Sequence, residues 1–440
     1  MRRVGPYSLT GPLVKTIITT LFSILISTGA IGAEMPNVVL LSVDTLRADR
    51  LGVYGYPLET SPHLDAFAAS ALLFEDAVCE TPLTNPSFGS MHSSRFPRMT
   101  GTTRNGLAMP ATVPLVAEQF QAAGYYTFSV QSNWTLKNKL SGLGRGFDDY
   151  DDDFHKKRWG IIKAERDGDE VTRLALEFLE KRDPEAPFFA WIHYSDPHAP
   201  YTLHKDFNPT NTQPWRLDRK EKVRAKYDSE VAFTDNEINT ILKALPENTH
   251  VLFVGDHGES LYEHDYLGHG RRIHQTNMHI PLIIRADGVA PGRSTAPARG
   301  IDVGPTLLGL ANLPRPDSMV GLDLIHDTIP PHRARVIETY GGAVPNVPGV
   351  KGVMADAGPM RQGVIQDGWK LILDGDKGQL FFLPDDPGEL SDRSGAEPER
   401  MTTMVERIRN WEEATPQGAQ GTENLNTDDW KALESLGYLE

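Results

Sequence analysis

The sequence predicts an α/β protein that has a large, mostly parallel sheet flanked by helices and a smaller C-terminal α+β subdomain. Short apolar runs rich in β-branched and aromatic residues are bounded by turn residues, which is typical of buried strands. Amphipathic segments lie between these runs, and strands that alternate with helices favour a parallel sheet. After about Pro330 the chain becomes rich in Pro and Gly and then alternates as antiparallel strands do.

Three of the predicted strands are followed by side chains that can bind ions or transfer protons. In chain order they are VVLLSV (Val38–Val43) before Asp44, APFFAWIHYS (Ala186–Ser195) before Asp196 and His198, and HVLFVG (His250–Gly255) before Asp256 and His257. In open α/β sheets, ligands bind outside the carboxyl ends of the strands. These carboxylates and imidazoles are therefore expected to meet at one edge of the sheet.

Helices are predicted where apolar residues recur with helical spacing. SPHLDAFAAS offers Ser61 as the N-cap and Pro62 at the first helical position. Further helices are predicted over Val113–Gly124, which closes on a glycine, and over Lys222–Leu245. Near the C-terminus, GWKLILD and QLFFLP are predicted as antiparallel strands, and PERMTTMVERIRNWEEA as a helix.

The composition is that of a folded protein, with 39% hydrophobic and 23% charged residues. The net charge is −15, and the acidic residues are spread along the chain. Nucleic acid is therefore not expected as a partner, because phosphate backbones bind clusters of Lys and Arg. An anionic substrate is compatible with this charge if a metal dominates the local field. The single cysteine, Cys79, excludes an internal disulfide.

The N-terminus has the features of a secretory signal peptide. Two arginines and a lysine precede an apolar run from Thr16 to Ala33, which ends in small residues. The pattern predicts a signal peptide over residues 1–33 and a periplasmic or secreted protein without stable membrane insertion after cleavage. An uncleaved anchor is the alternative, because the run approaches the minimum length that spans a bilayer. The remaining chain is predicted to form a catalytic domain (34–330) and a C-terminal subdomain (331–440).

The side chains of Asp44, Asp256 and His257 are suited to hold one divalent cation. Carboxylates with one imidazole favour Ca²⁺, Mg²⁺ or Mn²⁺, whereas a second imidazole would favour Zn²⁺. Asp44 alone could also be a helix cap or a solvated loop residue, but DHGE directly after a buried strand is more typical of a ligand pair. Asp196 and His198 suggest a second metal less well, because the longer ligand spacing of two-metal phosphodiesterases is absent.

Several motifs follow one another in an order that one protein family shares. They are SVDTLRADRLGVYGY, SPHLDAFAASALLFEDA, PLTNPSFGS, GYYTFSVQSN, FFAWIHYSDPHAPY, GDHGES, GHGRRIHQTNMHIPLII and the terminal LESLGYLE. Together they resemble the sulfatase branch of the alkaline phosphatase superfamily, from about Asn37 to the last residue. The resemblance implies that family's fold and a metal-dependent hydrolase of sulfate or phosphate esters.

The resemblance also implies the roles of individual residues in the core of the site. Asp44 resembles the family's first metal ligand, and Asp256 with His257 resembles the later ligand pair. Thr84 stands at the position of the nucleophile.

Four further residues are expected to contact the substrate. His198 in DPHAPY resembles the histidine that contacts the sulfuryl or phosphoryl oxygens or the leaving group. His269 in GHG stands where many sulfatases have an anion-binding lysine, and Asn133 in QSNW replaces another such lysine. Arg47 lies near the Asp44 loop and is a candidate for substrate binding, although a surface or helix-capping arginine is an equal interpretation.

The sequence departs from the family at the nucleophile. The usual signature is Cys or Ser, any residue, Pro, Ser and Arg, whereas this chain has TNPSF, with Thr84 first and Phe88 in place of the arginine. Cys79 lies too early to replace the nucleophile and is interpreted as a small buried hydrophobe. Thr45 replaces the family's second aspartate, and Thr135 replaces a histidine.

Threonine at this position changes the expected chemistry. Sulfatases oxidise their Cys or Ser to formylglycine, whose hydrate attacks sulfur and later expels sulfate, and threonine is not expected to undergo this conversion. A phosphothreonine can instead be opened by in-line attack of water or an alcohol. Thr84 therefore favours phosphorus esters, whereas the overall resemblance favours sulfate esters.

The substrate is expected to be a sulfated or phosphorylated small molecule, glycan or lipid. Its specificity is expected to lie in the irregular loops Asp151–Gly168 and Leu203–Glu221. One alternative function is a transferase that moves a phosphoryl-linked group onto a lipid or glycan. Another is an inactive homologue that binds sulfated glycans.

Overall fold

The computed structural model describes residues 35–153, 165–210, 216–341, 359–424 and 426–429, together with residues 1, 5, 157–158, 161–162 and 431. Three predicted features lie outside the described residues. They are the signal segment except residues 1 and 5, the Pro/Gly-rich stretch after Ala343 except its last two residues, and the terminal LESLGYLE. Among the described residues, no helix combines the length and the apolar character that crossing a bilayer requires.

Eight strands form the main sheet, and the predicted fold class is confirmed. In chain order they are β1 (Asn37–Val43), β2 (Leu72–Phe74), β3 (Tyr126–Val130), β4 (Asp149–Asp151), β5 (Phe188–Tyr194), β6 (Thr249–Gly255), β7 (Leu282–Arg285) and β8 (Gly292–Ser294). Their spatial order is β8-β2-β7-β6-β1-β5-β3-β4. The block β6-β1-β5-β3-β4 is parallel, whereas β7 is antiparallel to both of its neighbours.

The three strands predicted from apolar runs lie side by side at the centre of the sheet, as β5, β1 and β6. All residues of these strands are buried, as expected for parallel strands that are covered on both faces. Val43 of β1 pairs with Tyr194 of β5 and with Gly255 of β6. The carboxyl ends of the three strands are therefore level, and the polar residues that follow them emerge at one edge.

Helices cover both faces of the sheet. The α-helices of the described residues are α1 (Pro62–Ala68), α2 (Thr84–Ser93), α3 (Pro97–Thr100), α4 (Val116–Ala122), α5 (Asn138–Ser141), α6 (Gly168–Lys181), α7 (Arg219–Ala244), α8 (Gln275–Met278), α9 (Val303–Leu310) and α10 (Pro398–Ala414). Because side chains alternate along a strand, Val38 and Leu40 pack with α2, α4 and α9. Val39 and Leu41 pack with α1, α6 and α7 on the other face.

Shorter elements connect this framework. Short 3₁₀ turns span Ala48–Arg50, Gly52–Tyr54, Trp134–Leu136, Lys205–Phe207, Glu263–Asp265 and Gly300–Asp302. Two-residue strands pair Ala77–Val78 with Ala298–Arg299, Leu107–Ala108 with Thr422–Glu423, Lys157–Arg158 with Ile161–Ile162, and Ser260–Leu261 with Leu267–Gly268.

The predicted helices are confirmed with shifted ends. Pro62 is the first residue of α1, although the hydroxyl of Ser61 bonds to Asp65 instead of capping the helix backbone. The helix predicted over Val113–Gly124 is shorter, at Val116–Ala122. The long helix α7 begins three residues before the predicted Lys222, because Asp218 accepts a bond from the backbone N–H of Glu221 and caps it there.

The C-terminal part contains the small antiparallel sheet and the helix that the sequence predicts. Strands β9 (Arg335–Thr339), β10 (Arg361–Gln366), β11 (Trp369–Asp374) and β12 (Lys377–Phe382) pair in chain order. Met404 and Ile408 of α10 pack on Val364 and Leu371 of this sheet. The boundary between the two predicted domains near residue 330 stays a prediction.

Candidate active site

Three buried side chains converge at the carboxyl edge of the sheet. Asp44 follows β1, and Asp256 with His257 follows β6. One ligand atom from each residue lies within 4.8 Å of the others, and all three side chains are fully buried. The structure thus brings together the three residues that the sequence predicts as metal ligands. The described part of the chain holds no second cluster of this kind.

Hydrogen bonds orient each of these side chains and leave particular atoms facing the cluster. Asp256 accepts the backbone N–H groups of Thr45 and His257 with Oδ1, at 3.0 and 2.7 Å. Asp44 accepts the amide of Asn133 with Oδ2, at 2.5 Å. Oδ2 of Asp256 and Oδ1 of Asp44 are buried and have no hydrogen-bond partner.

The imidazole of His257 is oriented in the same way. Its Nδ1 lies 3.0 Å from the carbonyl oxygen of Gly258, which can only accept, so Nδ1 carries the proton. The lone pair of Nε2 therefore faces the carboxylates, at 3.4 Å from Asp256 and 3.8 Å from Asp44.

The electrostatics of the cluster fit a divalent cation. Burial raises the pKa of Asp44 to about 6, and burial with the charge of Asp44 raises the pKa of Asp256 well above its usual value. Burial and the neighbouring His269 lower the pKa of His257, which keeps its imidazole neutral. Two crowded carboxylates and a lone pair repel one another unless a positive charge lies between them. These donors suit an oxygen-preferring cation that also accepts one nitrogen ligand.

Thr84 lies beside this cluster, where the resemblance places the nucleophile. It is the first residue of α2, is fully buried, and has its Oγ1 3.4 Å from Nε2 of His257. The hydroxyl of Ser87, one turn further along α2, donates to the carbonyl oxygen of Asp256 at 2.7 Å. This bond fixes the start of α2 against the end of β6.

Two other residues of the PLTNPS region do not take part in the cluster. Cys79 is buried with its Sγ 3.6 Å from the carbonyl oxygen of Asn277, and burial raises the pKa of its thiol, which fits its interpretation as a small hydrophobe. Phe88 stands at the family's arginine position and packs on Trp191 and His193, with ring centroids 5.0 and 4.8 Å away. A buried aromatic ring thus stands where the family has an arginine.

Two histidine–carboxylate pairs flank the cluster. Nδ1 of His198 lies 2.6 Å from Glu165, and Nδ1 of His269 lies 3.3 Å from Glu259. The ring of His269 is 5.1 Å from that of His198 and 4.6 Å from that of His257. His198 and His269 therefore lie together at the site, as the sequence predicts.

The two histidines differ in charge. Burial lowers the pKa of His198, but Glu165, Asp44 and Glu259 outweigh burial and raise it to about 10. Burial and the nearby His198 lower the pKa of His269 well below its usual value. These shifts favour a charged ring at His198 and a neutral ring at His269 at neutral pH.

Asn133 and Arg47 contact the protein itself. The amide of Asn133 donates to Asp44, and its Oδ1 accepts from the backbone N–H of Thr135 at 2.9 Å. The guanidinium of Arg47 is 3% exposed and donates to Asp49, to Glu263 and to the backbone carbonyl oxygen of Glu259. Substrate binding by either residue stays a prediction, and these contacts show what each one holds in place.

Sequence reasoning missed Glu165 and Glu259. Glu259 could have been found, because it ends the DHGE motif that contains Asp256 and His257. Glu165 lies in an irregular, charged loop that gives no periodic signal. Asp196 was a candidate for a second metal site, but its Oδ1 accepts the backbone N–H of Gly168 at 3.0 Å and so caps the start of α6.

Comparisons with known proteins show the family and the fold of this chain. A family model described as Sulfatase matches residues 36–313. An ulvan-active sulfatase of Formosa agariphila is 29% identical over 71% of this chain and 70% of its own length. An arylsulfatase of Clostridium perfringens is 25% identical over 66% of this chain and 77% of its own.

Solved structures show the same fold. A protein in complex with its substrate D-glucosamine-2-N,6-O-disulfate superposes with a TM-score of 0.71 at 18% identity, over 86% of this chain and 98% of that chain. The phosphonate monoester hydrolase of Agrobacterium radiobacter superposes with a TM-score of 0.71 at 17% identity, over 87% of this chain and 96% of that chain.

Proposed function

The chain belongs to the sulfatase family, and from this premise we propose that it is a metal-dependent hydrolase of sulfate esters carried by a saccharide, with Thr84 as the nucleophile. The observation that carries the proposal is the approach of Thr84 Oγ1 to His257 at the centre of the buried cluster. Sulfated saccharides are the proposed substrates because one relative is named for its action on ulvan and one structural neighbour holds a disulfated glucosamine.

The residues of the site divide the work of ester hydrolysis. Asp44, Asp256 and His257 would hold the cation, which when bound supplies Lewis acidity that acidifies a nearby hydroxyl and offsets charge on the ester oxygens. Thr84 supplies the attacking oxygen, which the contact between Ser87 and Asp256 holds at the start of α2. Asn133 orients Asp44 through its amide.

The two flanking histidines would act on the ester itself. The neutral His269 offers a hydrogen bond to the non-bridging oxygens, a contact that is worth more in a buried site than in water. The charged His198 faces the same space and can give its proton to the departing oxygen.

A second candidate function is hydrolysis of a phosphorus ester, and the identity of residue 84 favours it. A sulfate ester formed on threonine has no second hydroxyl that could expel sulfate, so water must attack that ester directly. A phosphothreonine is opened by in-line attack of water more readily. The phosphonate monoester hydrolase has a similar fold, but at 17% identity this likeness supports the fold and not the choice of substrate.

A turnover screen separates these functions. The protein, loaded with Ca²⁺, Mg²⁺ or Mn²⁺, is assayed on aryl esters of sulfate, phosphate (mono and di) and phosphonate. Multiple turnover of the sulfate ester is expected, and Thr84→Ala should abolish it by several orders of magnitude. Cys79→Ser is the matched control, because this buried cysteine is not one of the clustered residues and its loss should leave turnover unchanged.

Each outcome of the screen has a clear meaning. Turnover of phosphorus esters without sulfate would establish the second candidate. Turnover within tenfold of the wild type in Thr84→Ala would exclude Thr84 as nucleophile. Absence of turnover on all of these aryl esters and on a sulfated saccharide would refute the hydrolase proposal.

A further inference from the structure

The closest contact of His198 is with a carboxylate that comes from a distant loop. Oε1 of Glu165 lies 2.6 Å from Nδ1 of His198. The imidazole is buried, whereas the carboxylate is 17% exposed. A carboxylate this close to an imidazole nitrogen forms an ion pair that favours the charged form of the ring.

The backbone holds Glu165 in place against the site. Glu165 and Asn133 form an isolated antiparallel bridge, and the N–H of Arg166 donates to the carbonyl oxygen of Ser132 at 2.8 Å. The side chain of Arg166 binds Asp151 at 2.6 Å. The end of the loop Asp151–Gly168 is therefore hydrogen-bonded to the segment that contains Asn133, and Asn133 in turn donates to Asp44.

The position of His198 points its other ring nitrogen away from Glu165. Its backbone N–H donates to the carbonyl oxygen of Ser195 at 2.9 Å, which fixes the turn after β5. Because Nδ1 contacts Glu165, Nε2 lies on the opposite side of the ring. The neighbouring ring is that of His269, which in turn contacts His257 of the cluster.

We infer that Glu165 is a positioning residue, which fixes His198 so that Nε2 delivers a proton to the leaving alcohol of the substrate. This inference rests on the proposed function and adds a residue to it. Glu165 is not one of the three clustered ligands, so its role is to hold His198 and not the cation. It also explains why His198 keeps its charge although it is buried.

Thr84 enters this step as an alkoxide, because its hydroxyl proton has already passed to solvent. A bond forms between Oγ of Thr84 and the sulfur, and the bond between sulfur and the leaving oxygen breaks. The electron pair of the broken bond stays on the leaving oxygen, which takes the proton from Nε2 of His198. The ring becomes neutral and keeps its Nδ1 proton, which faces Glu165. Water later attacks the sulfur of the Thr84 ester, and the bond between sulfur and Oγ breaks. One proton of the water returns to Nε2, the other leaves with the sulfate as hydrogensulfate, and Thr84 is again an alkoxide.

The leaving group of the substrate provides the first test. Glu165→Gln keeps the size of the side chain and removes its charge. Turnover of an alkyl sulfate should fall by about 10²-fold, which is the lower end of the contribution of a general acid. Turnover of 4-nitrophenyl sulfate should fall by less than about threefold, because nitrophenolate leaves without a proton. Glu165→Asp should recover part of the loss on the alkyl ester.

Two controls isolate the interaction between Glu165 and His198. Glu180→Gln makes the same charge change at an exposed position of α6 and should leave both esters unaffected. Glu165→Gln should add little to the loss that His198→Ala already causes, because residues that act as a unit have non-additive effects.

The charge of His198 provides a second test that does not need turnover. In protein labelled with ¹⁵N-histidine, the signals that disappear in His198→Asn identify this ring. They should show an imidazolium at neutral pH in the wild type and a neutral ring in Glu165→Gln.

The two tests separate failure of this inference from failure of the proposed function. A wild type that hydrolyses no sulfate ester refutes the proposed function, and this inference falls with it even if the spectra show the ion pair. An active wild type in which Glu165→Gln affects both esters equally, or leaves the His198 signals unchanged, overturns the inference alone. If Glu165→Gln does not fold, the same comparison of esters is decided with Glu165→Asp.

Discussion

Asp256→Asn should change the stability of the protein in opposite directions with and without a divalent cation. The substitution keeps a side-chain oxygen for the backbone N–H groups of Thr45 and His257, which Oδ1 of Asp256 now accepts. It replaces the other, unpartnered oxygen by an amide and removes one of the two charges of the cluster.

The size of the effect follows from the spacing of the cluster. The ligand atoms lie within 4.8 Å of one another, and two unit charges at that distance repel by about 3.5 kcal/mol at an effective dielectric constant of about 20. Burial raises the pKa of both carboxylates, so one of them holds a proton part of the time. Without a cation, the substitution should therefore raise the free energy of unfolding by less than this, about 1–2 kcal/mol.

The cation reverses the sign of the effect. A bound divalent cation stabilises the folded protein by an amount that grows with the logarithm of its affinity, and loss of a charged ligand is expected to weaken binding at least about 100-fold. The increase in the free energy of unfolding that the cation produces should then be about 2.8 kcal/mol smaller in the variant.

Urea unfolding in a chelator and in excess Ca²⁺, Mg²⁺ or Mn²⁺ measures both quantities. Asp235→Asn is the matched control, because Asp235 is also buried and accepts the backbone N–H groups of His63 and Leu64, outside the cluster. The control should shift stability equally in both conditions. The assignment of the cluster as a cation site is wrong if Asp256→Asn behaves like this control, or if no cation stabilises the wild type.

Three further substitutions test single contacts of the site. Asn133→Ala removes the amide that orients Asp44 and should weaken cation binding about 10- to 100-fold in calorimetric titrations. Arg47→Ala should lower the free energy of unfolding by about 1–3 kcal/mol, because it removes a buried guanidinium that bonds to the backbone carbonyl oxygen of Glu259 and to two partly exposed carboxylates; a raised KM with unchanged stability would instead support its predicted role in substrate binding. Phe88→Arg restores the family's arginine at a fully buried position packed on Trp191 and should destabilise the fold by several kcal/mol in urea unfolding, whereas an increase in turnover without loss of stability would contradict this reasoning.

The ligands of the cluster could be predicted from sequence because sheet geometry places them. A fully apolar run identifies a central parallel strand, and parallel strands in register end at the same level. Asp44 and Asp256 therefore meet although they are far apart in the chain. Asp256 accepts the backbone N–H of Thr45, the residue after Asp44, across a separation of 211 positions. The register of the strands is enough to place these ligands, whatever the conformation of the longer loops.

The same reasoning fails where the side chain that follows a strand bonds to another part of the protein. Asp196 follows a central strand as Asp44 does, but its carboxylate caps α6, whose first residue lies 28 positions earlier in the chain. The sequence around Asp196 does not show where that helix begins. Glu165 is the converse case, because its position follows from a single bridge to Asn133 in a segment without periodicity.

The pairing of Glu165 with His198 also bears on which esters the site would cleave. The pKa of His198, about 10, is close to the value of about 10.4 for an ordinary lysine, so the ring holds its proton at neutral pH as a lysine would. A proton held this firmly moves only to an oxygen that is more basic than the ring. The departing alkoxide of a saccharide is such an oxygen, whereas a nitrophenolate is not. If His198 gives this proton to the leaving oxygen as proposed, its contribution should be larger for esters of sugar hydroxyls than for activated aryl esters, and assays on aryl sulfates alone would underestimate that contribution.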